Sequence, residues 1–146
     1  MSTVALQHNI GAFIALASSV LPQAASASVN GSGLDRAAHN GALSCVLHAA
    51  TGAITGSPTT TSVTTKLQHS ADNSTWADYV APGAAAVAAT SAITAASTDA
   101  SVAIDLSSAN RYIRAVSTIA FTGGSSPTVQ VAADIAFGGE TLRPAV

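Results

Sequence analysis

The side chains that most often do chemistry are few in this sequence, and they are scattered along it. There are four histidines and one cysteine, Cys45. The histidines are His8, His39, His48 and His69. No pair of them has the spacing of a zinc-binding helix, and one cysteine cannot supply a pair of thiolates. The sequence therefore predicts no metal site and no cofactor, and it predicts that Cys45 is a small buried hydrophobic residue.

The motifs of the large enzyme classes are also missing. The chain has no Gly-x-Gly-x-x-Gly or Gly-x-x-x-x-Gly-Lys-Ser/Thr sequence for nucleotides, and no Gly-x-Ser-x-Gly sequence for a nucleophilic serine. Its carboxylates are six aspartates and Glu140, and nothing in their spacing groups two of them for general acid and base work. We therefore expect a protein that is not an enzyme.

One polar stretch, residues 66–80, predicts a hairpin. Asp72 and Asn73 suit its tip, because their side chains bond to the nearby backbone and tolerate left-handed conformations. Trp76 follows the tip and is expected to cap the end of a core. A second interpretation makes Trp76 and Tyr79 a platform for sugars.

Two arginines lie three residues apart, at Arg111 and Arg114. Because two buried unpaired cations would be costly, we expect either cross-strand ion pairs or a contact with a partner protein. Asp105 and Asp134 are the expected acidic partners, since both lie on neighbouring predicted strands.

The elements that position these residues are predicted to be strands. Apolar and polar residues alternate with period two, most clearly over residues 128–137, where Val129, Val131 and the next three odd-numbered residues share one face. Turn sequences such as Asn40-Gly41 separate the alternating segments. Strands are expected near residues 12–17, 25–29, 42–49, 60–69, 75–80, 101–106, 111–121 and 127–137. The sequence thus predicts an all-β fold, an antiparallel β-sandwich of about eight strands that is jelly-roll-like.

The alanine-rich stretch 84–96 does not alternate. We expect a long surface connection with a short strand near Ile93, and a short helix is the alternative because alanine favours helices.

Composition narrows the range of partners. Only 8% of the residues are charged, the net charge is −2, and the five basic residues form no patch. These values argue against nucleic-acid binding. A surface with so little charge suits a protein that works within an assembly.

The first 30 residues are predicted to form an N-terminal strand or arm, with the sandwich domain over 31–146. The apolar run Gly11–Leu21 is too short to span a membrane, so no membrane partner is expected. A secretory signal peptide is the alternative for this run, although no Lys or Arg precedes it.

Several phrases of the chain together resemble a known family. They are Lys66-Leu67-Gln68-His69-Ser70, Thr75-Trp76, the strand from Arg111 to Thr118, the turn Gly123–Pro127 and the strand from Thr128 to Gly139. In this order they resemble capsid decoration (cement) proteins of tailed bacteriophages, including the jelly-roll type of short-tailed phages. The resemblance covers roughly residues 31–146.

The resemblance implies a virion protein on the outer capsid surface. Such a protein would bind the major capsid protein as a homodimer or homotrimer and stabilise contacts between capsid subunits. The family brings no catalytic residues. The side chains expected to bind the partner are apolar ones of the N-terminal arm and residues of the tail: Phe13, Ile14, Leu16, Leu142, Arg143 and Pro144.

The competing function is a carbohydrate-binding or adhesive module of a phage tail or bacterial surface. That function requires Trp76 and Tyr79 to lie exposed, side by side, in a groove. The cement function requires instead a flat apolar contact surface.

Overall fold

The structure is a computed structural model, and it describes residue 11 and residues 13–139. Their regular secondary structure is almost entirely strand. In chain order the strands are β1 (Ala15–Ala25), β2 (Val29–Asn30), β3 (Leu34–Asp35), β4 (Ser44–Thr55), β5 (Thr60–Ser70), β6 (Ala77–Asp78), β7 (Thr98–Asp105), β8 (Tyr112–Thr122) and β9 (Thr128–Gly138). A short 3-10 turn, Arg36–His39, precedes β4. The described part of the chain contains no helix long and apolar enough to cross a membrane.

The strands pair from the ends of the chain inward. β1 pairs with β9, the short β2 and β3 pair with β8, β4 pairs with β7, and β5 pairs with β6, all antiparallel. Further pairs, β4 with β9 and β5 with β8, join these hairpin-like pairs into two sheets, with the orders β1-β9-β4-β7 and β2-β8-β5-β6. A nested hairpin folded into two sheets is a jelly roll, so the predicted fold class is confirmed.

The core lies between the two sheets and follows the predicted alternation. In β9, Val129, Val131 and the next three odd-numbered residues are each at most 2% exposed. β5 contributes Val63 and Leu67, both buried. Polar side chains in the core form hydrogen bonds. For example, the hydroxyl oxygens of Thr65 and Ser117 lie 2.9 Å apart. Among the described residues, no buried side-chain nitrogen or oxygen lacks a hydrogen-bond partner.

The alanine-rich stretch is an extended connection, not a helix. Ile93 bridges to Val63, and Ala89 bridges to Lys66, so the stretch runs along the free edge of β5. Ile93 is 3% exposed and fills the core at this edge. The connection thereby covers main-chain groups that β6, only two residues long, leaves unpaired.

Candidate protein-binding face

The outer face of the four-stranded sheet is built from small side chains. One lateral row of cross-strand partners crosses the whole sheet. It consists of Leu16 in β1, Ala136 in β9, Val46 in β4 and Ala103 in β7. Each alternates with core-facing neighbours, and therefore each points away from the core. The row is entirely apolar, which is unusual for the solvent side of an antiparallel sheet.

Two further rows continue this surface. The second row consists of Ser18, Asp134, His48 and Ser101, and the third contains Ala132, Ala50 and Asp99. In the second row the Ser18 hydroxyl donates a hydrogen bond to Asp134. His48 Nε2 lies 3.2 Å from the Asp99 carboxylate. We call these three rows together the small-residue face.

Large exposed hydrophobic side chains gather at this part of the molecule. Of the six in the described residues, five lie in or next to β1 and β4. They are Ile14, Leu16, Leu21, Leu43 and Val46. Leu16 is 71% exposed, so its side chain has almost no partner within the subunit. Clustered exposed apolar side chains of this kind mark surfaces that bind another protein.

Charge is distributed unevenly between the two sheets. The four strands of the first sheet contain three aspartates, Asp99, Asp105 and Asp134, and neither lysine nor arginine. The exposed or half-exposed basic residues of the described part, Lys66, Arg111 and Arg114, lie in or beside the other sheet. The small-residue face therefore suits a partner that is apolar with basic groups.

The outer face of the other sheet is polar and already paired. Lys66 Nζ lies 2.8 Å from Asp78. Arg114 donates two hydrogen bonds to the Gln68 side-chain oxygen, and its guanidinium lies 4.4 Å from the centre of the Trp76 ring. This face therefore offers a partner little apolar surface.

The two arginines do not pair as expected. Arg111 makes a bidentate pair with Asp35, with Nη2 2.7 Å from the carboxylate, and Arg114 bonds Gln68. The prediction that Asp105 and Asp134 pair with these arginines was wrong, because Arg111 precedes β8 and faces the two-residue strand β3. That strand is too short to show an alternating pattern in the sequence.

The aromatic pair of the hairpin does not form an exposed platform. Tyr79 is fully buried, and its hydroxyl donates a hydrogen bond to the Asp105 carbonyl oxygen at 2.6 Å. Trp76 is half-buried beneath Arg114. The predicted tip is correct: Asn73 is left-handed, and the Asp72 carboxylate accepts bonds from the amides of Ser74 and Thr75. Those amides hold the pKa of Asp72 well below its usual range.

Cys45 is a core residue, as predicted. It is 3% exposed, and burial raises the pKa of its thiol to about 12. In the part of the chain that the structure describes, no group of three His, Cys, Asp or Glu side chains is placed to hold a metal ion.

The predicted partner-binding residues fall into two groups. Phe13 is half-buried, whereas Ile14 and Leu16 are exposed at the edge of the small-residue face. Leu142, Arg143 and Pro144 lie outside the described residues. Sequence reasoning missed Val46 and Ala103, because their alignment with Leu16 depends on the register between strands that are distant in the chain.

Comparisons with known proteins give a distant match. No protein-family model matches the chain, and no curated protein sequence matches it. Among solved structures, the chain is similar to the crystal structure of the SPBc2 prophage-derived protein YomS, with a TM-score of 0.42 and 15% sequence identity. The similarity covers 84% of this chain and 94% of that one. So distant a likeness transfers no function, and the geometry of the face has to support the proposal.

Proposed function

We propose that this chain is a structural virion protein that binds the outer surface of a phage capsid and stabilises contacts between major capsid protein subunits. The observation that supports this proposal is the small-residue face. It is an open sheet surface with one fully apolar row, and its other two rows combine alanine with serine, histidine and aspartate. A surface of this shape suits a flat partner better than a small molecule, which needs a concave pocket.

Small side chains make close docking possible. At Ala136, Ala103 and Ala132 nothing extends beyond the β-carbon, so a partner's backbone or side chains can approach the sheet closely. The three aspartates of the sheet then favour a partner surface that carries lysine or arginine.

The size of the face favours many copies acting together. Four strands with 8 residues in β7, at the usual spacing and rise, cover roughly 500 Å². A stable protein interface usually buries about 800 Å² on each side. One copy is therefore expected to bind weakly, and a homodimer or homotrimer on a repeating shell gains by multivalency.

Binding to capsids that lack the chain tests the proposal. Val46→Asp places a charge in the apolar row of the face, where it would be buried unpaired in the complex. We expect it to reduce co-sedimentation with the capsid by at least about tenfold, which corresponds to about 1.4 kcal/mol. The matched control is Thr118→Asp, which places the same charge on the exposed outer side of β8. Equal binding by both variants and the unmodified chain would exclude the face as the contact.

The adhesive alternative has lost its main support. It required two exposed aromatic rings, and Tyr79 is buried in the core. We therefore place the contact with the partner on the small-residue face.

A further inference from the structure

Strand β7 is an open edge of the four-stranded sheet. It pairs with β4 on one side, and no strand of the described residues pairs with its other side. Such an edge presents a row of backbone amides and carbonyl oxygens that an added strand can bond. β7 is eight residues long, keeps one register with β4, and contains no proline or lysine. It therefore lacks the proline, bulge and lysine with which proteins usually prevent an edge from pairing.

The other edges of the sandwich are protected. Across the same sheet, β1 shifts register against β9 twice, between Ser18 and Val20 and between Val20 and Gln23. It also contains Pro22, which has no amide hydrogen to donate. In the other sheet, the alanine-rich connection lies along the edge of β5. Of these three edges, β7 is the one best suited to accept another strand.

The core is incompletely covered at β7. Ala100 and Val102 point toward the core but are only half-buried. Their direct partners in β4, Ala49 and Leu47, are at most 1% exposed. A further strand beside β7 would cover the two half-buried side chains if it carried apolar residues at the positions that face the core.

The outer side of β7 carries a carboxylate near each end. Asp99 and Asp105 are both exposed on that side, six residues apart, which in a strand is about 20 Å. The four strands of the sheet contain no lysine or arginine, and their one histidine, His48, lies beside Asp99. An added strand with a cation opposite each carboxylate would gain two cross-strand ion pairs.

A second copy of this chain fits the edge poorly. In the antiparallel register centred on Val102, which overlaps most of the strand, Asp99 of each copy would lie directly opposite Asp105 of the other. Like charges at directly opposite positions destabilise a strand pair. The charge of the edge thus favours a basic partner over self-pairing.

We propose that the free edge of β7 binds an extended segment of a partner protein as a fifth strand of this sheet. The segment carries lysine or arginine opposite Asp99 and Asp105, and apolar side chains opposite Ala100, Val102 and Ile104. Main-chain hydrogen bonds supply the affinity and the alternate side chains supply the specificity. This inference goes beyond the proposed function, because it concerns main-chain pairing at an edge, so that either can fail alone.

A peptide titration of the full, isotope-labelled chain tests the inference without a capsid. The probe is the capped peptide Lys-Val-Thr-Val-Thr-Val-Lys, whose lysines have the spacing of Asp99 and Asp105. The matched control peptide has glutamate in place of both lysines. Nuclear magnetic resonance of the backbone amides locates the binding site and gives the dissociation constant.

We expect chemical-shift changes centred on β7, with slower hydrogen exchange of its edge amides. At low salt the lysine peptide should bind at least about tenfold more tightly than the glutamate peptide, because two attractive pairs replace two repulsive ones. No binding at millimolar peptide, equal affinity for both peptides, or shifts centred on β1 or the other sheet would overturn the inference.

A pair of variants tests the part of the two aspartates. Asp99→Asn combined with Asp105→Asn removes both charges and is expected to weaken binding of the lysine peptide severalfold at low salt. The control is Asp78→Asn in the other sheet, where asparagine can still accept the hydrogen bonds of Lys66 and Gln68. An equal loss of affinity in the control would show that net charge, and not the edge, attracts the peptide, and would also overturn the inference.

Discussion

Arg36 is a basic side chain that the sandwich buries, at 8% exposure. Its guanidinium donates hydrogen bonds to the carbonyl oxygen of Ala42, at 2.7 Å from Nη2, and to those of Ala109 and Asn110. It thereby links the start of β4 to the loop between β7 and β8. Because these partners are main-chain oxygens, the charge is solvated by backbone dipoles instead of a carboxylate.

Removal of this side chain should therefore be costly. We expect Arg36→Ala to lower the free energy of unfolding by about 2–4 kcal/mol, since the buried carbonyl of Ala42 and the partly buried ones of Ala109 and Asn110 lose their donor. Urea denaturation measures the change. Arg111→Ala is the control, because Arg111 pairs with Asp35 at the surface and should cost less than about 1 kcal/mol. Equal losses in the two variants would contradict this role of Arg36.

His69 makes stability depend on pH. Burial lowers the pKa of its ring below 6.5. Its Nδ1 accepts a hydrogen bond from the amide of Asn110 at 3.2 Å, which requires that nitrogen to be unprotonated. The unfolded chain therefore binds a proton more readily at this residue, and stability falls as the pH drops below about 6.5.

We expect His69→Gln to flatten the pH dependence of the urea midpoint between about pH 7 and pH 5. Glutamine can accept the same amide bond but does not titrate. His48→Gln, at a half-exposed position beside Asp99, serves as the comparison. An unchanged slope in His69→Gln would show that another group titrates in this range.

At the scale of the elements, β1 does more than close one edge of its sheet. The hydroxyl of Ser19 accepts a hydrogen bond from the amide of Ala115 in β8 at 2.9 Å and donates one to the carbonyl oxygen of Ser32. β8 belongs to the other sheet, so this single buried hydroxyl joins the two layers. The first strand is thus tied to both sheets.

Ser19→Ala is expected to lower the free energy of unfolding by about 1–3 kcal/mol, because the buried amide of Ala115 loses its acceptor. Ser18→Ala is a control at the adjacent position, where the hydroxyl is exposed and bonds Asp134. That variant should cost less than about 1 kcal/mol. Thermal or urea unfolding of both variants measures these losses. A larger loss in Ser19→Ala indicates that Ser19 links the two sheets, whereas equally small losses indicate a neutral contact.

The elements that alternate over many residues were predictable from the sequence. In β9 and β5 each core-facing position has an apolar or small side chain, so the period-two pattern was unbroken and the strands appeared where expected. The turn at Asp72 and Asn73 was predictable for the same reason, since the Asp72 side chain bonds backbone amides within three residues and Asn73 adopts a left-handed conformation. Local patterns of this kind depend on no distant contact.

Features that depend on distant pairing were not predictable. β3 is two residues long, so the partner of Arg111 could not be assigned. Arg36 follows an aspartate in a polar stretch and gave no signal of burial. The small-residue face was also hidden, because Ala103, Val46 and Ala136 come into one row only through the pairing of β7, β4 and β9. The exposure of Ile14 and Leu16 suits a contact, and their binding to a partner stays a prediction.

At the scale of the whole molecule, the two outer faces of the sandwich differ in chemistry. One is polar, with its lysine and arginine side chains already paired. The other has one fully apolar row, contains aspartates but no lysine or arginine, and consists mostly of small side chains. Because of this difference, the two outer faces are not equivalent as contact surfaces. A subunit that lies on a capsid shell is expected to turn the small-residue face toward the shell. The polar face would then meet the solvent.

Cryo-electron microscopy of the phage particle on which we propose that this chain acts tests the central claim most directly. We expect density for the sandwich on the outer shell, across junctions between capsid subunits, with Leu16, Val46 and Ala103 against the major capsid protein. A bare shell, with the chain at a tail tip or missing from the particle, would contradict the proposed function. A bound subunit with its polar face toward the shell would contradict the assignment of the docking face.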